Sequence, residues 1–256
     1  MDKVGIALGL GYSPDEISNI NTFQLMVHET KDLSVRWLPE DIRKLRKERK
    51  GAKLFCHSVF KVVIGRPYST VIFRDHYLYI CKQKFNGYVV HLPTEMDPQL
   101  CIDWIRKMIN SSARILAEQR LEPVTVYFEH VPSKYYSTHF AEFAKMLKDA
   151  KLVLPVGICV DTCHLYASGI SLDTAASVRK YFGKLADVGL PILVHLNDSM
   201  GDYESFVDRH AELGSKIWKD EKSGLAEILK LPYTKIIELA DCKSSLELLS
   251  TIADIN

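Results

Sequence analysis

Asp161 and His164, then His195, then Asp208 and His210 put two carboxylates and three imidazoles within fifty positions of one another. They occur as Asp161-Thr162-Cys163-His164, His195-Leu196-Asn197-Asp198 and Asp208-Arg209-His210, each beside an apolar run. Carboxylate and imidazole with little thiolate form the donor set of zinc, manganese or iron rather than of calcium. A metal held at strand ends is expected to do chemistry rather than to hold up a fold.

The elements that must position these groups alternate. Short β-branched or apolar runs at residues 4–10, 23–27, 53–57, 88–91, 124–129, 156–161, 192–195 and 235–238 read as strands. Their unbroken apolar character is that of parallel strands covered on both faces. Helices are expected between them. Ser13-Pro14-Asp15-Glu16 opens one as a capping box with proline at the first position, and Leu38-Pro39-Glu40-Asp41 starts another. Others are expected near 70–84, 98–119, 138–149 and 173–187, with 244–255 closing the chain. Eight strands alternating with helices is the count of a (β/α)8 TIM barrel, an α/β fold forming one domain over residues 1–256. A doubly wound open sheet is the competing architecture, but no Gly-x-Gly-x-x-Gly turn follows the first strand.

Bulk properties agree with one globular domain: 256 residues, 47% hydrophobic and 25% charged. A formal charge of +1 says nothing for or against an acidic partner, although a local basic face can still bind phosphate. Six cysteines at irregular spacing, none in a Cys-x-x-Cys pair, read as buried free thiols of a reducing compartment. Met1-Asp2-Lys3-Val4-Gly5 is no signal peptide, and no apolar run reaches membrane-spanning length. The expected location is intracellular, in cytoplasm or nucleus, with no membrane partner.

Active sites of such barrels lie at the C-terminal strand ends. There the sequence offers His57, His91, Glu129, Asp161, His195 and Glu238, with His164 one turn beyond the sixth strand and Asp208 and His210 in the loop after the seventh. A single histidine at such a place is more often structural than a ligand. Nine ligand-type residues on one rim are different, because so many buried imidazoles and carboxylates are costly without cations to compensate them. A catalytic zinc takes about three protein ligands and keeps an open position, so nine ligands with one bridging carboxylate suit three ions.

Cys159-Val160-Asp161-Thr162-Cys163-His164, Val194-His195-Leu196-Asn197-Asp198 and Val207-Asp208-Arg209-His210 resemble the motifs of the endonuclease IV family of apurinic/apyrimidinic endonucleases. These are DNA-repair enzymes with a trinuclear zinc site in a barrel of this type. The resemblance extends upstream to His57, His91 and Glu129 and downstream to Glu238. It implies three Zn2+, with Mn2+ or another divalent ion admissible in one subsite. By position, His57, His91 and Glu129 would hold one ion. Glu129, Asp161, His195 and Glu238 would hold the second, and His164, Asp208 and His210 the third. Glu129, Asp161 and Glu238 would be the catalytic carboxylates. The implied reaction is hydrolysis of the phosphodiester 5′ to an abasic site in duplex DNA, in base excision repair. Cleaning of blocked 3′ ends as diesterase, phosphatase or exonuclease would accompany it. The implied protein is a monomer.

On the DNA side, Phe60 lies three residues beyond His57, where the family carries a groove-stacking aromatic; an ordinary core or loop aromatic is an equal reading. Lys61, Arg66 and Arg209 would touch phosphates. The basic run from Arg43 to Lys50 contains Glu48 at helical spacing and reads as a solvated helix face. Several loops depart from the family: Ser215-Lys216-Ile217-Trp218 after Gly214, Leu92-Pro93 after His91, and His130-Val131-Pro132 after Glu129. The first strand ends in Ala7-Leu8-Gly9, where many members carry histidine. Intact ligands with divergent loops suit a distant lineage such as a large DNA virus. Two alternatives stay open: a single-metal sugar isomerase or epimerase of a related barrel, and a non-catalytic binder of damaged DNA.

Overall fold

The alternation read from the sequence is present in the computed structural model, which describes residues 3–8, 20–239 and 241–254. The strands are β1 Val4–Leu8, β2 Thr22–Leu25, β3 Lys53–His57, β4 Gly87–His91, β5 Val126–Glu129, β6 Val156–Asp161, β7 Ile192–His195, the two-residue β8 Asp198–Ser199 and β9 His210–Ala211, and β10 Thr234–Ile237. All but β8 and β9 close into a barrel in the order β1-β10-β7-β6-β5-β4-β3-β2, with every neighbouring pair parallel. The helices are α1 Pro39–Glu48, α2 Pro67–Lys82, α3 Pro98–Gln119, α4 Phe140–Asp149, α5 Thr162–Ala167, α6 Ala175–Val188, α7 Ser223–Lys230 and α8 Lys243–Asp254. The fold is a single TIM barrel.

Local chemistry sets the helix ends. Asp97 caps α3 by accepting the Leu100 amide at 2.9 Å, Pro98 follows, and Arg120 ends the helix in a left-handed conformation. At α1 the Asp41 carboxylate accepts the Leu38 amide at 2.9 Å. The basic face of α1 is solvated: Arg43 and Lys44 pair with Glu40 and Glu48 at 4.0 Å, and Arg46 donates to the Lys84 carbonyl. The helix expected at Ser13-Pro14-Asp15-Glu16 lies outside the described residues.

Three differences from the sequence reading matter. Helix α2 starts earlier, at Pro67, because proline suits a first helical turn. Helices α5 and α7 and the β8–β9 hairpin were not expected, being six, eight and two residues long. Helix α7 follows the charged stretch Lys219-Asp220-Glu221-Lys222 and buries Leu225 and Ile228. The last barrel strand stops at Ile237, so Glu238 stands just past its end.

Alternation of side chains along each strand sorts the barrel interior from the helix layer. Tyr88, Val90, Phe128, Ile158, Val160 and Val194 face the helices in the main apolar core. Phe55, Val89, Cys159, Leu193 and Ile236, with Tyr127 against them, fill the inside of the barrel. Two residues further along the same inward face come His57, His91, Glu129, Asp161, His195 and Glu238. Gln24 of β2 and Ala7 of β1 are register partners at that level and complete the ring. An apolar floor therefore lies directly beneath a polar rim.

Gly87 makes that floor possible. A Cβ there would stand 2.7 Å from both Phe55 Cδ1 and Tyr127 Cε2, inside van der Waals contact. Gly87→Ala is expected to destabilise the protein by about 1–3 kcal/mol through overpacking, read from urea unfolding midpoints at constant m-value. Because Phe55 and Tyr127 lie two residues below His57 and Glu129, the same variant should also bind metal more weakly. Unchanged unfolding and metal titration would refute this packing account.

Candidate metal centre

The nine ligand-type residues expected from the sequence converge at one mouth of the barrel. Glu129 is completely buried, and its carboxylate lies 3.2 Å from His57 Nε2, 3.3 Å from His91 Nε2, 3.5 Å from His164 Nδ1 and 2.9 Å from His195 Nδ1. His195 Nδ1 also faces Glu238 Oε2 at 2.9 Å and Asp161 Oδ2 at 4.0 Å. Asp208 bridges His164 Nε2 and His210 Nε2, both at 3.2 Å, and His210 Nε2 reaches Asp161 Oδ2 at 3.4 Å. Several overlapping groups could hold a metal ion, among them His57-His91-Glu129, His57-His195-Glu238 and His164-Asp208-His210, with ligand atoms within 4.8 Å of one another in each.

The sequence spacing explains part of this. Asp161 ends β6 and caps α5, its Oδ1 accepting the His164 amide at 2.9 Å. An N-cap side chain reaches the amide three residues on, so Asp-x-x-His locks both residues into one turn. The other oxygen, Oδ2, is left to face Asn197, His195 and His210. In the loop after β7, β8 pairs with β9 through Ser199 and His210, which folds Asp208 and His210 back over the mouth.

Surrounding groups fix the ring orientations. His57 Nδ1 donates to the Ser58 carbonyl at 2.8 Å, and His164 Nδ1 to the His130 carbonyl at 2.8 Å. His195 Nε2 donates to Gln24 Oε1 at 2.9 Å, while the Gln24 amide donates to Glu238 Oε1. A carbonyl can only accept, so each of these rings carries its proton on the outer nitrogen and turns the other inward. His164 Nε2 and His210 Nε2 are buried and face only carboxylate oxygens, at 3.2–3.4 Å, without a hydrogen bond of good geometry. Buried ring nitrogens left without good hydrogen bonds among carboxylates are what a cation site requires, and the donor set fits a divalent ion with mixed nitrogen and oxygen ligands.

Without a cation, the electrostatics run through protons instead. Burial alone would lower the His164 imidazole, but Asp161, Asp208 and Glu129 outweigh it and raise it to about 10. His210 opposes the same burial with Asp161 and Asp208 and rises to about 9. Burial works to raise the Glu238 and Glu129 carboxyls, yet the neighbouring imidazoles, His195 foremost, hold Glu238 at about 2 and Glu129 well below the usual range. The rim is thus a lattice of alternating charge whose imidazole protons stand where metal ions could.

Several positioning residues were not legible beforehand. Gln24 is the clearest: a long polar side chain on the same inward face as Thr22 in a fully buried strand was the available signal. Asn197 donates to Asp161 Oδ2 at 2.7 Å and accepts the Glu238 amide at 2.9 Å, tying β6, β7 and β10 together. His130 accepts the Asp161 amide on Nε2 at 3.3 Å; burial and then His164 lower it to about 3, so it stays neutral. Asp198 collects the amides of Gly214, Ser215, Lys216 and Ile217 at 2.7–3.2 Å. The divergent Ser215-Lys216 loop is therefore pinned through its backbone, whatever its side chains.

Above the ligands lies a cavity of about 310 Å³, walled also by Ala7, Met26, Phe60 and Leu239. Phe60 is 65% exposed, so it is no core residue, and its ring centroid stands 6.1 Å from that of His91. Lys61 donates to the Lys31 carbonyl, which ties the loops after β3 and β2. Arg66 is exposed at the N-cap of α2, and Arg209 is exposed beside Asp208. Among the described residues, no helix is long and apolar enough to cross a membrane.

Comparison with known proteins places this arrangement. A model of the xylose isomerase-like TIM barrel family matches residues 18–244. A probable AP endonuclease of African swine fever virus is 27% identical over 183 residues, which cover 66% of this chain and 58% of the viral protein. A probable endonuclease 4 of Alkaliphilus oremlandii is 25% identical over 232 residues, 85% of this chain and 81% of the relative. The crystal structure of endonuclease IV from Thermus thermophilus superposes with a TM-score of 0.76 at 21% identity, covering 99% of this chain and 100% of that one. At that identity the superposition speaks to fold. The chain belongs to the xylose isomerase-like TIM barrel family.

Proposed function

We propose that this protein is a zinc-dependent DNA-repair endonuclease that hydrolyses the phosphodiester 5′ to abasic sites in duplex DNA and clears blocked 3′ ends. One observation carries the reading: outer hydrogen bonds fix the rings of His57, His164 and His195 so that their inner nitrogens converge on a cluster of carboxylates. His57, His91 and Glu129 would hold one ion, and His164, Asp208 and His210 another. Glu129, Asp161, His195 and Glu238 would hold the third, their oxygens lying 2.9–4.0 Å from His195 Nδ1. Bound there, divalent ions supply a water acidified to near neutrality and offset charge developing on phosphorus and the leaving oxygen. Cys163 lies near Asp161 and His210, but burial raises its thiol to about 12, so it competes poorly as a ligand.

The chain's own residues supply the rest. Gln24, Asn197 and the His130 carbonyl hold the ligands in register. Lys31, Lys61, Arg66, Lys134 and Arg209 stand on loops at the same mouth, where a polyanion would lie. Extrusion of a nucleotide costs least where pairing and stacking are already lost, which favours an abasic residue in the cavity. The relatives named as AP endonuclease and endonuclease 4 support the same reaction class. A single-metal sugar isomerase has no use for the separate His164-Asp208-His210 group.

The purified protein should hold close to three divalent ions, and nick a duplex containing a tetrahydrofuran abasic analogue until a chelator is added. At most one bound ion together with no nicking would sink the proposal. Glu238→Gln should abolish nicking while abasic DNA still binds; a variant that nicks like wild type would remove Glu238 from the chemistry. Asn197→Ala should weaken metal binding or turnover by about 10–100-fold, read by competition with a chromogenic chelator.

Metal uptake must displace protons from His164 and His210, which the metal-free protein holds at about 10 and about 9. Both values lie above the unfolded imidazole range. Their contribution to metal-free stability is therefore complete below about pH 6.5 and lost as pH rises through the folded values. Urea midpoints in chelator should fall between neutral pH and about pH 10, and zinc should cancel that fall. Identical pH profiles with and without zinc would contradict the site.

A further inference from the structure

The barrel order places β3 and β7 four strands apart in a ring of eight, so the loops that follow them face each other across the metal cavity. Both loops end in exposed apolar side chains. On the β3 side these are Phe60 and Val63, 65% and 38% exposed. On the β7 side, between β8 and β9, they are Met200, Tyr203, Phe206 and Val207, from 37% to 64% exposed. Singly exposed apolar residues need no explanation, but four on one loop beside a ligand residue, Asp208, do.

The β7 tip is held rigidly. The Glu204 amide donates to the Tyr166 carbonyl at 3.2 Å and the Phe206 amide to the Ala167 carbonyl at 2.8 Å, both on α5. The Tyr203 hydroxyl donates to the Gly169 carbonyl, and its ring meets Tyr166 edge-on at 5.3 Å. Phe206 is held at φ +55°, a left-handed conformation that bulky residues rarely adopt. Such outliers persist where the surroundings over-determine them, and they concentrate at ligand clamps. Charge around the tip suits a nucleic acid. Lys134 Nζ stands 5.9 Å over the Phe206 ring, Arg209 is exposed on the same loop, and Lys216 pairs with Asp202 at 2.7 Å. Asp202, neutralised by Lys216, Glu204, and Asp208, turned to His164 and His210, are the exposed acids of the same loop, so the cationic face is the Lys134 and Arg209 side.

We propose that this tip is a stacking platform for the unpaired base that stands opposite an abasic site, with Phe206 as its specificity-determining residue. The inference rests on the proposed endonuclease function. A base that has lost its partner offers an open π-face, and aromatic side chains beside cations bind such faces with little sequence preference. With Phe60 on the opposite side, the damaged duplex would be gripped from two sides of the cavity, one apolar tip to each.

The test uses metal-loaded protein and a duplex with 2-aminopurine opposite a tetrahydrofuran site, its scissile linkage a slowly cleaved phosphorothioate. Wild type should quench the 2-aminopurine on binding. Phe206→Gly, which relieves the left-handed strain and so should fold, should leave the probe bright. It should also lose roughly five- to a hundredfold in affinity for the duplex, more than it loses for the abasic single strand. Phe206→Tyr should restore quenching. If wild type distinguishes abasic from intact duplex yet Phe206→Gly quenches and binds as wild type does, the platform is refuted and the endonuclease reading stands. If wild type does not distinguish them, both fall.

Discussion

A carboxylate with no solvent exposure, ringed by four imidazoles, is the constraint on which the rest of this molecule depends. Glu129 sits within 3.5 Å of His57, His91, His164 and His195. Removing such a group from water without compensation is costly, and removing one partner from a buried charged set costs more than the set itself contributes. The barrel answers with geometry. Residues His91 and Glu129 are register partners on adjacent strands, as are Asp161 and His195, so imidazole and carboxylate arrive side by side before any loop is considered. The apolar floor of Phe55, Val89, Tyr127, Cys159, Leu193 and Ile236 keeps water from reaching the cluster from below.

Rigidity of the cluster comes from one layer further out. Gln24 Oε1 and the His130 and Ser58 carbonyls accept from the rings and the Asn197 amide donates to Asp161, which sets the ring orientations and the carboxylate rotamer. Asp161 joins the two layers, since one oxygen caps a helix and the other faces the ligands. The same arrangement explains why a six-residue helix survives immediately after a strand: its first turn is held by a side chain that the site itself immobilises.

Much of this was legible in the sequence. Strands 53–57, 156–161 and 192–195 fall where the apolar runs put them, because parallel strands buried on both faces leave an unbroken signature. The nine ligand-type residues come together because each either ends such a run or follows one closely. What escaped was short or depended on partners distant in the chain. Gln24 meets its partners His195 and Glu238 across 171 and 214 positions. Asp198 acts through five backbone amides that any sequence would provide. Lys235, buried in β10, donates to the Leu229 and Leu231 carbonyls at the end of α7, a role that no local pattern in a strand announces. Phe60 was undecided on residue type alone; its exposure beside the cavity settles that it is not a core residue.

The ring of polar side chains draws on β2 at one extreme and on the residue just past β10 at the other, and β1 closes the circle by pairing with β10 through Val4, Gly5 and Ile6. During synthesis, then, the emerging chain presents histidines and carboxylates long before their cage exists. Neither the last carboxylate nor the seam that shuts the cylinder is available until β10 has left the ribosome. Termination before β10 would leave a fragment with most of the ligand-type residues but no closed barrel around them. A chain continuous through β10 is thereby a condition for assembling the full set of ligand-type residues.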